Sequence, residues 1–577
     1  MLIVSPKQMA RLEERSEKLG VSKKQLMENA GKALAGVIDE HCREDTSVPT
    51  EEKSIVFLAG KGNNGGDCFA AANILVYRGY RITIINVDGQ PSTELAQEMY
   101  LRLPKERIEF IDGYRSESVE AAMEAAELDY MTVPQTKEID DLAKNKDRNP
   151  LEKLLLQEKR RMSLVKSAML CANVIVDGVF GTGFHGQLDK NIAGIFAIGS
   201  SAYRIAVDVP SGGNSYAGTV AFGAFEADET VAFGYLKTGM SQFPLKSYCG
   251  KITIADIGIP PKALEVLEGD RQYHRIERNH LANFPPKRER DAYKGNFGDV
   301  LIIAGSSTMR GAAAFAALGA LRSGAGLVRV ASVEKCIDTV SVLAPEATYI
   351  ELESDDYGFM LFDSSQQLLL DAMEKASSIV IGCGMGVTPD TMEITRFVVK
   401  NAKCPVVIDA DGINCIASDI DILLGKKSDI VITPHMGEMA RLLNCENTQI
   451  RDNRIVVAEK YAEKYGITVV LKGAGTLVAN SRITAANHTG NPGMAVGGSG
   501  DILAGIIGSI IAQGCSIYDS ACAGVYIHGL AGDAAAQKYG MESMLPRDIV
   551  DCLSDSFRLL KEKHGNSPLR ASSENLN

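Results

Sequence analysis

The 577-residue sequence has no tryptophan, no C-x-x-C pair, no apolar run long enough to cross a bilayer and no excess of positive charge. Its 12 cysteines are scattered singly, which removes zinc-finger and thioredoxin-type readings and leaves reduced, mostly buried thiols. A net charge of −12 argues against broad binding to a nucleic-acid backbone, which needs clustered Lys and Arg, but permits a small anion held by backbone N–H groups. The opening MLIVSPKQMARLEERSEKLG carries charges too early for a secretory signal. A cytoplasmic protein that binds neither nucleic acid nor membrane is expected.

What is present is glycine, 55 residues of it, which suits the tight strand-to-helix turns of an α/β protein. The length exceeds what one hydrophobic core usually holds, so two domains are expected. Ser5 to about His41 reads as helical, with Met9, Leu12, Leu19, Leu26, Met27 and Leu34 at helical spacing. SIVFLAG, RITIINV, ANVIVDGVFG, YRIAVDVPSG, DETVAFGYLKTG and GKITIADIGIP read as strands, and CFAAANILVYRGY as a helix. Charge dominates 112–166, read as surface helices or an insertion of unassigned role. The polar, Pro-containing RQYHRIERNHLANFPPKRERDAYKGNFGD is the candidate linker. A second α/β pattern follows in GDVLIIAG, AGLVRVAS, SSIVIGCGMG, CPVVIDADG, SDIVITPHMGE and ITVVLKGAGT. The expected division is 1–277 and 278–565, with a disordered tail at 566–577.

Two constellations carry chemistry. In NPGMAVGGSGDILAGIIGSI, Gly493, Gly497, Gly498 and Gly500 precede Asp501 and an apolar helix. Flexible glycines and a free helix N-terminus make an anion site suited to phosphate. An aspartate there can cap the helix, or it can take a proton from a hydroxyl attacking that phosphate. Lys472 in LKGAGT is available to phosphate; His435 and Glu438 follow a strand, as do Asp409 and Asp411. In the first half, AGKGNNGGDCFAAA places Asn63, Asn64, Gly65, Gly66 and Asp67 between strand and helix. It is not the G-x-G-x-x-G fingerprint, and an Asn-Gly turn with an Asp cap also fits. Asp177, Asp208 and Ser211 end two later strands, so a parallel sheet would bring all three segments to one crevice.

With these residues in view, AGSSTMRGAAAFAALGALRSGAGLV, TPHMGE, KGAGT and GNPGMAVGGSGDILAGIIGSIIAQG closely resemble the nucleotide-dependent NAD(P)H-hydrate dehydratases of the ribokinase-like superfamily. AGKGNNGGDCFAAA, VIVDGVFGTGFHGQ and IAVDVPSG resemble the NAD(P)H-hydrate epimerase domain. The resemblance implies an α/β chain with a Rossmann-like three-layer sandwich followed by a ribokinase-like three-layer α/β/α sandwich. It implies nucleotide contacts at Lys472, Gly473, Ala474, Gly475, Thr476 and Gly500, and substrate contacts at Ala313, Gly386 (or Gly384), His435 and Asp501. Asp501 is the implied catalytic acid, with Mg²⁺ and ADP or ATP as co-substrate. In the first half it implies substrate binding by Asn63, Asn64, Gly65, Gly66, Asp67, Gly181, Thr182, Gly183, Phe184, His185, Gly186, Gln187 and Asp208. Potassium would be held by Asn64, Asp177 and Ser211, and Asp177 is the candidate acid/base. The substrates implied are hydrated NADH and NADPH (NADHX and NADPHX), with a homo-oligomer expected. GCGMG departs from a usual proline-containing turn, and Cys68 stands where a smaller residue is common. A small-alcohol kinase joined to a non-catalytic binding module is the alternative.

Overall fold

A computed structural model describes residues 1–46, 48–114, 150–281 and 284–561. Most of the charged segment 112–166 and the tail 566–577 lie outside the described residues. The chain divides into two compact units, Leu2–Asp270 and a second from Arg271 onward.

The first unit opens with a short strand, β1 (Leu2–Val4). The stretch from Ser5 to about His41, read as helical, holds two helices, Pro6–Lys18 and Lys23–Glu44. Two serines set their starts: Ser5 Oγ accepts from the Gln8 amide and Ser22 Oγ from the Gln25 amide, each satisfying a free first-turn N–H. The main sheet contains β2 (Ser54–Ala59), β3 (Arg81–Asn86), β4 (Ile108–Asp112), β5 (Val174–Gly178), β6 (Tyr203–Val207) and β7 (Glu229–Phe233). After the two-residue β8 (Leu236–Lys237), β9 (Lys251–Ala255) completes it in the order β4-β3-β2-β5-β6-β7-β9, all parallel. Successive side chains of β2 go to opposite faces. Ile55 and Phe57 join one buried cluster with Leu34, Ile38 and Phe69; Val56 and Leu58 join another with Val165, Met169 and Ile195. Helices therefore cover both faces, which is why these strands read as nearly continuous apolar runs. Val165 and Met169 belong to the helix Pro150–Leu170, so the end of the segment read as surface helices or an insertion packs on the sheet.

The second unit begins at β10 (Gln272–Arg275), inside the stretch read as a linker; it pairs in parallel with β19 (Ile483–Ala486). The expected division at 277 falls just after this strand. Between them come β11 (Asp299–Ile303), β12 (Leu327–Val333), β13 (Thr348–Leu352), β14 (Ser378–Ile381), β15 (Val406–Ile408), β16 (Ile430–Ile432), β17 (Thr468–Leu471) and β18 (Leu477–Ala479). The order is β13-β12-β11-β14-β15-β16-β17-β18-β19-β10. Pairing is parallel from β13 to β17 and antiparallel for β17-β18-β19. Every residue of β14 to β17 is buried, as a sheet covered on both faces requires. In both units the order reverses beside a central strand, at β2/β5 and at β11/β14; open α/β sheets hold ligands at the C-terminal strand ends beside such reversals.

Candidate functional site

In the first unit the chain leaves β2, and Gly62 stands at the N-cap of the helix Asn63–Tyr77 without a side-chain cap. The segment Asn63–Asp67, read as a loop, is thus the first turn of that helix. Asp67 does not cap it. Among the described residues the amides of Asn63, Asn64 and Gly65 donate to no protein acceptor, so they are the free donors of a helix start. A cavity of about 640 Å³ opens here, walled by Asn63, Asn64, Asp67, Asp208, Gly181–His185 and Gln187 among others. Gly65, Gly66 and Gly186, grouped with these by the sequence, are not in its wall. Gly65 instead packs on the backbone of Gly60 and Gly66 on Met27. Asn63 Oδ1 accepts from the Thr93 hydroxyl at 2.7 Å.

Asp177, expected as the acid/base, does not face the cavity. Its side chain is fully buried. Oδ1 accepts from the Ser211 hydroxyl at 2.6 Å and the Val179 amide at 3.2 Å, and Oδ2 from the Ser211 amide at 2.8 Å. Burial raises its pKa to about 6, against the lowering effect of these bonds. Beside it, Asn64 Nδ2 bridges the carbonyl oxygens of Phe180 (3.0 Å) and Val207 (3.1 Å). Phe180 O also accepts from Ser211 Oγ. The end of the Asn64 amide that is oxygen is a matter of assignment. With Oδ1 turned inward, the donors become all oxygen, the hard set a potassium ion takes.

Four carboxyls do face the cavity, Glu13, Asp67, Asp88 and Asp208, and two of them, Asp67 and Asp208, stand in the segments that the sequence singled out. Asp208 follows β6 with φ +64°, a conformation that non-glycine residues reach only when their surroundings hold them there. The Phe233 amide donates to Asp208 Oδ1 at 2.9 Å, and the buried Lys237 ammonium donates to the same oxygen. Asp67 has its pKa raised well above the carboxylate range by burial, and further by the charge of Asp208. An acid whose charged form burial disfavours thus shares a wall with one paired to an ammonium. No sequence signal marked Lys237.

In the second unit the helix Ser499–Ala512 starts after Gly498, which has no capping side chain. Asp501 stands in its first turn, so capping, the other role the sequence left open, is not its position. Among the described residues the Gly500 and Asp501 amides donate to no protein acceptor. Burial, then the charge of Asp409, raises the Asp501 pKa to about 7. Asp409 Oδ1 accepts from Lys472 Nζ at 2.5 Å and Thr433 Oγ1 at 2.6 Å. A Cβ on Gly500 would lie 3.3 Å from Lys472 Nζ and 3.8 Å from Asp409 Oδ2, so its lack of a side chain lets this helix start approach the pair. Cys383, Asp409 and Asp501 each offer a ligand atom within 4.8 Å of the others. Mg²⁺ takes oxygen ligands, so the two carboxylates suit it and the thiol does not; burial and the two acids keep that thiol protonated, its pKa well above the usual range.

The remaining sequence candidates divide. His435 Nδ1 accepts from the Gly437 amide at 3.0 Å and the Glu438 amide at 3.2 Å, so it caps the helix Met436–Leu443, while its ring stays half exposed. Gly386 is buried and its amide donates to Asp411 Oδ2 at 2.9 Å. Ala313 is fully buried with its methyl group against Gly305, away from any open surface. Gly384 is buried beside Ala312 and Met309.

Known proteins share this layout. The family described as NAD(P)H-hydrate dehydratase matches residues 300–555, and that described as YjeF-related protein N-terminus matches 23–239. A solved structure of ADP/ATP-dependent NAD(P)H-hydrate dehydratase from Bacillus subtilis, co-crystallized with ATP/Mg²⁺, is 27% identical, with a TM-score of 0.44, over 50% of this chain and 99% of that one. The bifunctional NAD(P)H-hydrate repair enzyme of Thermofilum pendens is 30% identical over 95% of this chain and 94% of its own. That of Moorella thermoacetica is 31% identical over 93% of each chain. A likeness that runs through both units, from one end of the relatives to the other, means that this chain belongs to the family of bifunctional NAD(P)H-hydrate repair enzymes.

Proposed function

We propose that the chain repairs hydrated NADH and NADPH in two steps. The first unit interconverts the R and S epimers, and the second dehydrates the S epimer with an adenine nucleotide. The observation that carries this reading is shared by both units. Each sets an aspartyl group with a raised pKa beside free helix-start amides, next to an aspartate paired with a lysine. The amides suit phosphate-bearing ligands, and carboxyls with a raised pKa suit proton transfer.

In epimerisation the ring nitrogen lone pair expels the C6 hydroxyl, which leaves as water with a proton from Asp67. Water then adds to either face of the iminium, returning a proton to Asp67. Asp208 orients the hydroxyl, itself fixed by Lys237 and the Phe233 amide. Asp177 and Ser211, with the Asn64 amide, would hold a potassium ion, and on this reading they do not transfer the proton. That ion would supply a fixed positive charge near the substrate diphosphate.

In dehydration Asp501 takes the proton of the C6 hydroxyl as its oxygen attacks the terminal phosphorus of ADP, with AMP leaving. The amides of Gly500 and Asp501 receive the charge that develops on the transferred group. The ring nitrogen then expels phosphate, a far better leaving group than hydroxide, and loss of a C5 proton restores the dihydronicotinamide. Mg²⁺ bound with the nucleotide would be held through Asp501 or Asp409 and neutralise phosphate charge.

The test supplies mixed epimers, ADP or ATP, Mg²⁺ and K⁺. Recovery of nicotinamide absorbance from both epimers, with one free phosphate per turnover, is the expected result. A product that keeps the phosphate and never regains the absorbance would identify a kinase instead.

A further inference from the structure

Beneath the Lys472–Thr476 loop lies a cation that the reading so far does not use. Arg454 is the first residue of the helix Arg454–Tyr465 and is 5% exposed. Among the described residues it has no carboxylate within ion-pair distance, and its Nε has no hydrogen-bond partner. A buried cation without a counter-charge is costly, and a position at a helix start, the positive end of the dipole, adds to that cost. Burial alone pulls its pKa down to about 10.

What the guanidinium does hold is backbone. Nη1 donates to the Ala474 carbonyl at 2.6 Å; Nη2 donates to those of Gly475 at 3.3 Å and Leu471 at 3.4 Å. The carbonyls of Gly473 and Thr476 are also occupied from within the unit. Gly473 O accepts from the Thr476 hydroxyl at 2.9 Å, and Thr476 O from the Asn487 amide at 2.8 Å. Every carbonyl from Gly473 to Thr476 therefore already has a donor within the unit. The amides of Gly473, Ala474 and Gly475 donate to no acceptor among the described residues, and Gly473 and Ala474 are exposed. Gly473 at φ +142° and Gly475 at φ +65° permit this backbone path. A run of free amides over occupied carbonyls is an anion-binding concavity.

We propose that Arg454 is a positioning residue for the nucleotide. By gripping the Ala474 and Gly475 carbonyls from below, it presents the loop amides to the nucleotide phosphates, whose negative charge in turn balances its own. This rests on the reading of Lys472–Thr476 as the nucleotide contact. An arginine suits the task because its planar fork serves several carbonyls at once, which a lysine ammonium on a flexible stem does not reproduce.

The full chain is compared with Arg454→Met, Arg454→Lys and Gly475→Val, using ADP and Mg²⁺. Two quantities are read: KM for ADP against kcat of dehydration, and the rise in Tm on adding ADP. Arg454→Met is expected to raise the ADP KM about tenfold or more, to leave kcat within about threefold, and to shrink the ADP-induced Tm rise. Arg454→Lys, which keeps the charge, is expected to raise the KM about threefold, and it decides the matter should the methionine variant not fold. A purely structural arginine would lower the Tm of the free protein and leave the ADP KM unchanged; that result in Arg454→Lys, or in a folded Arg454→Met, overturns the proposal. Gly475→Val separates the two readings. If it abolishes ADP binding while the arginine variants bind normally, only the role of Arg454 falls. If it too binds ADP normally, the loop itself is not the nucleotide site.

Discussion

The two units solve a similar electrostatic problem with different exposure. In the first, the group raised by burial is Asp67 and the lysine-paired acid is Asp208; in the second they are Asp501 and Asp409. In both cases the raised group stands in or just after the first turn of a helix with an uncapped start. The difference lies in the lysine. Lys237 is sealed, and its ammonium also donates to the Phe233 carbonyl, so it serves the framework. Lys472 is partly open, lies 3.8 Å from Glu438 as well, and belongs to a loop with free amides. Its pKa is raised: burial pulls it down, and Asp409 and Glu438 more than offset that pull. A sealed lysine suits a reaction that only moves water and a proton. An accessible one suits transfer of a phosphoryl group.

The sharpest way to break the comparison is Asp501→Asn. It should lower dehydration by about 10²–10⁴-fold, the usual worth of a positioned base, and leave epimerisation intact, as read by nicotinamide absorbance on pure S and pure R substrate. Asp67→Asn should give the mirror image, about 10²-fold slower epimerisation with unchanged dehydration of the S epimer. If Asp177→Asn gave that loss with undiminished potassium dependence, and Asp67→Asn did not, proton transfer would belong to Asp177. A pH profile comes next. Asp501 must be ionised to accept a proton, and its pKa is raised to about 7. Dehydration kcat/KM should therefore rise about tenfold per pH unit below 7 and level off above it. A profile that is flat from pH 5 to 8 would remove Asp501 as the base. The smallest effect should come from replacing K⁺ by Na⁺, a drop of about threefold to tenfold in epimerisation alone, since the oxygen set assigned to potassium, Asp177, Ser211 and the Asn64 amide, belongs to the first unit. Equal loss in both activities would erase that distinction.

Much of the fold could be read in advance because both sheets are covered on two faces. Strands such as Ser54–Ala59 and Ser378–Ile381 are then unbroken apolar runs, visible without any partner. Among the strands that escaped notice, Ile108–Asp112, Thr348–Leu352 and Gln272–Arg275 carry exposed or half-exposed polar residues, and their pairing partners define them more than their composition does. The linker reading failed at Gln272–Arg275 for that reason: its partner, Ile483–Ala486, lies some two hundred residues away.

The amino-acid order alone determined that there are two α/β halves, that glycine-rich segments follow their strands, and that Asp67, Asp208 and Asp501 stand in those segments. Such features are local, set by side-chain periodicity and by the few residues that tolerate a sharp turn. Only the tertiary structure decided which acids reach open space and which are enclosed, why Asp177 is saturated with donors while Asp67 is not, and that Lys237 and Arg454 lie beneath the sites they support. Burial and charge pairing depend on residues distant in the chain, so the state of a carboxyl or a guanidinium is fixed only when the fold assembles its surroundings.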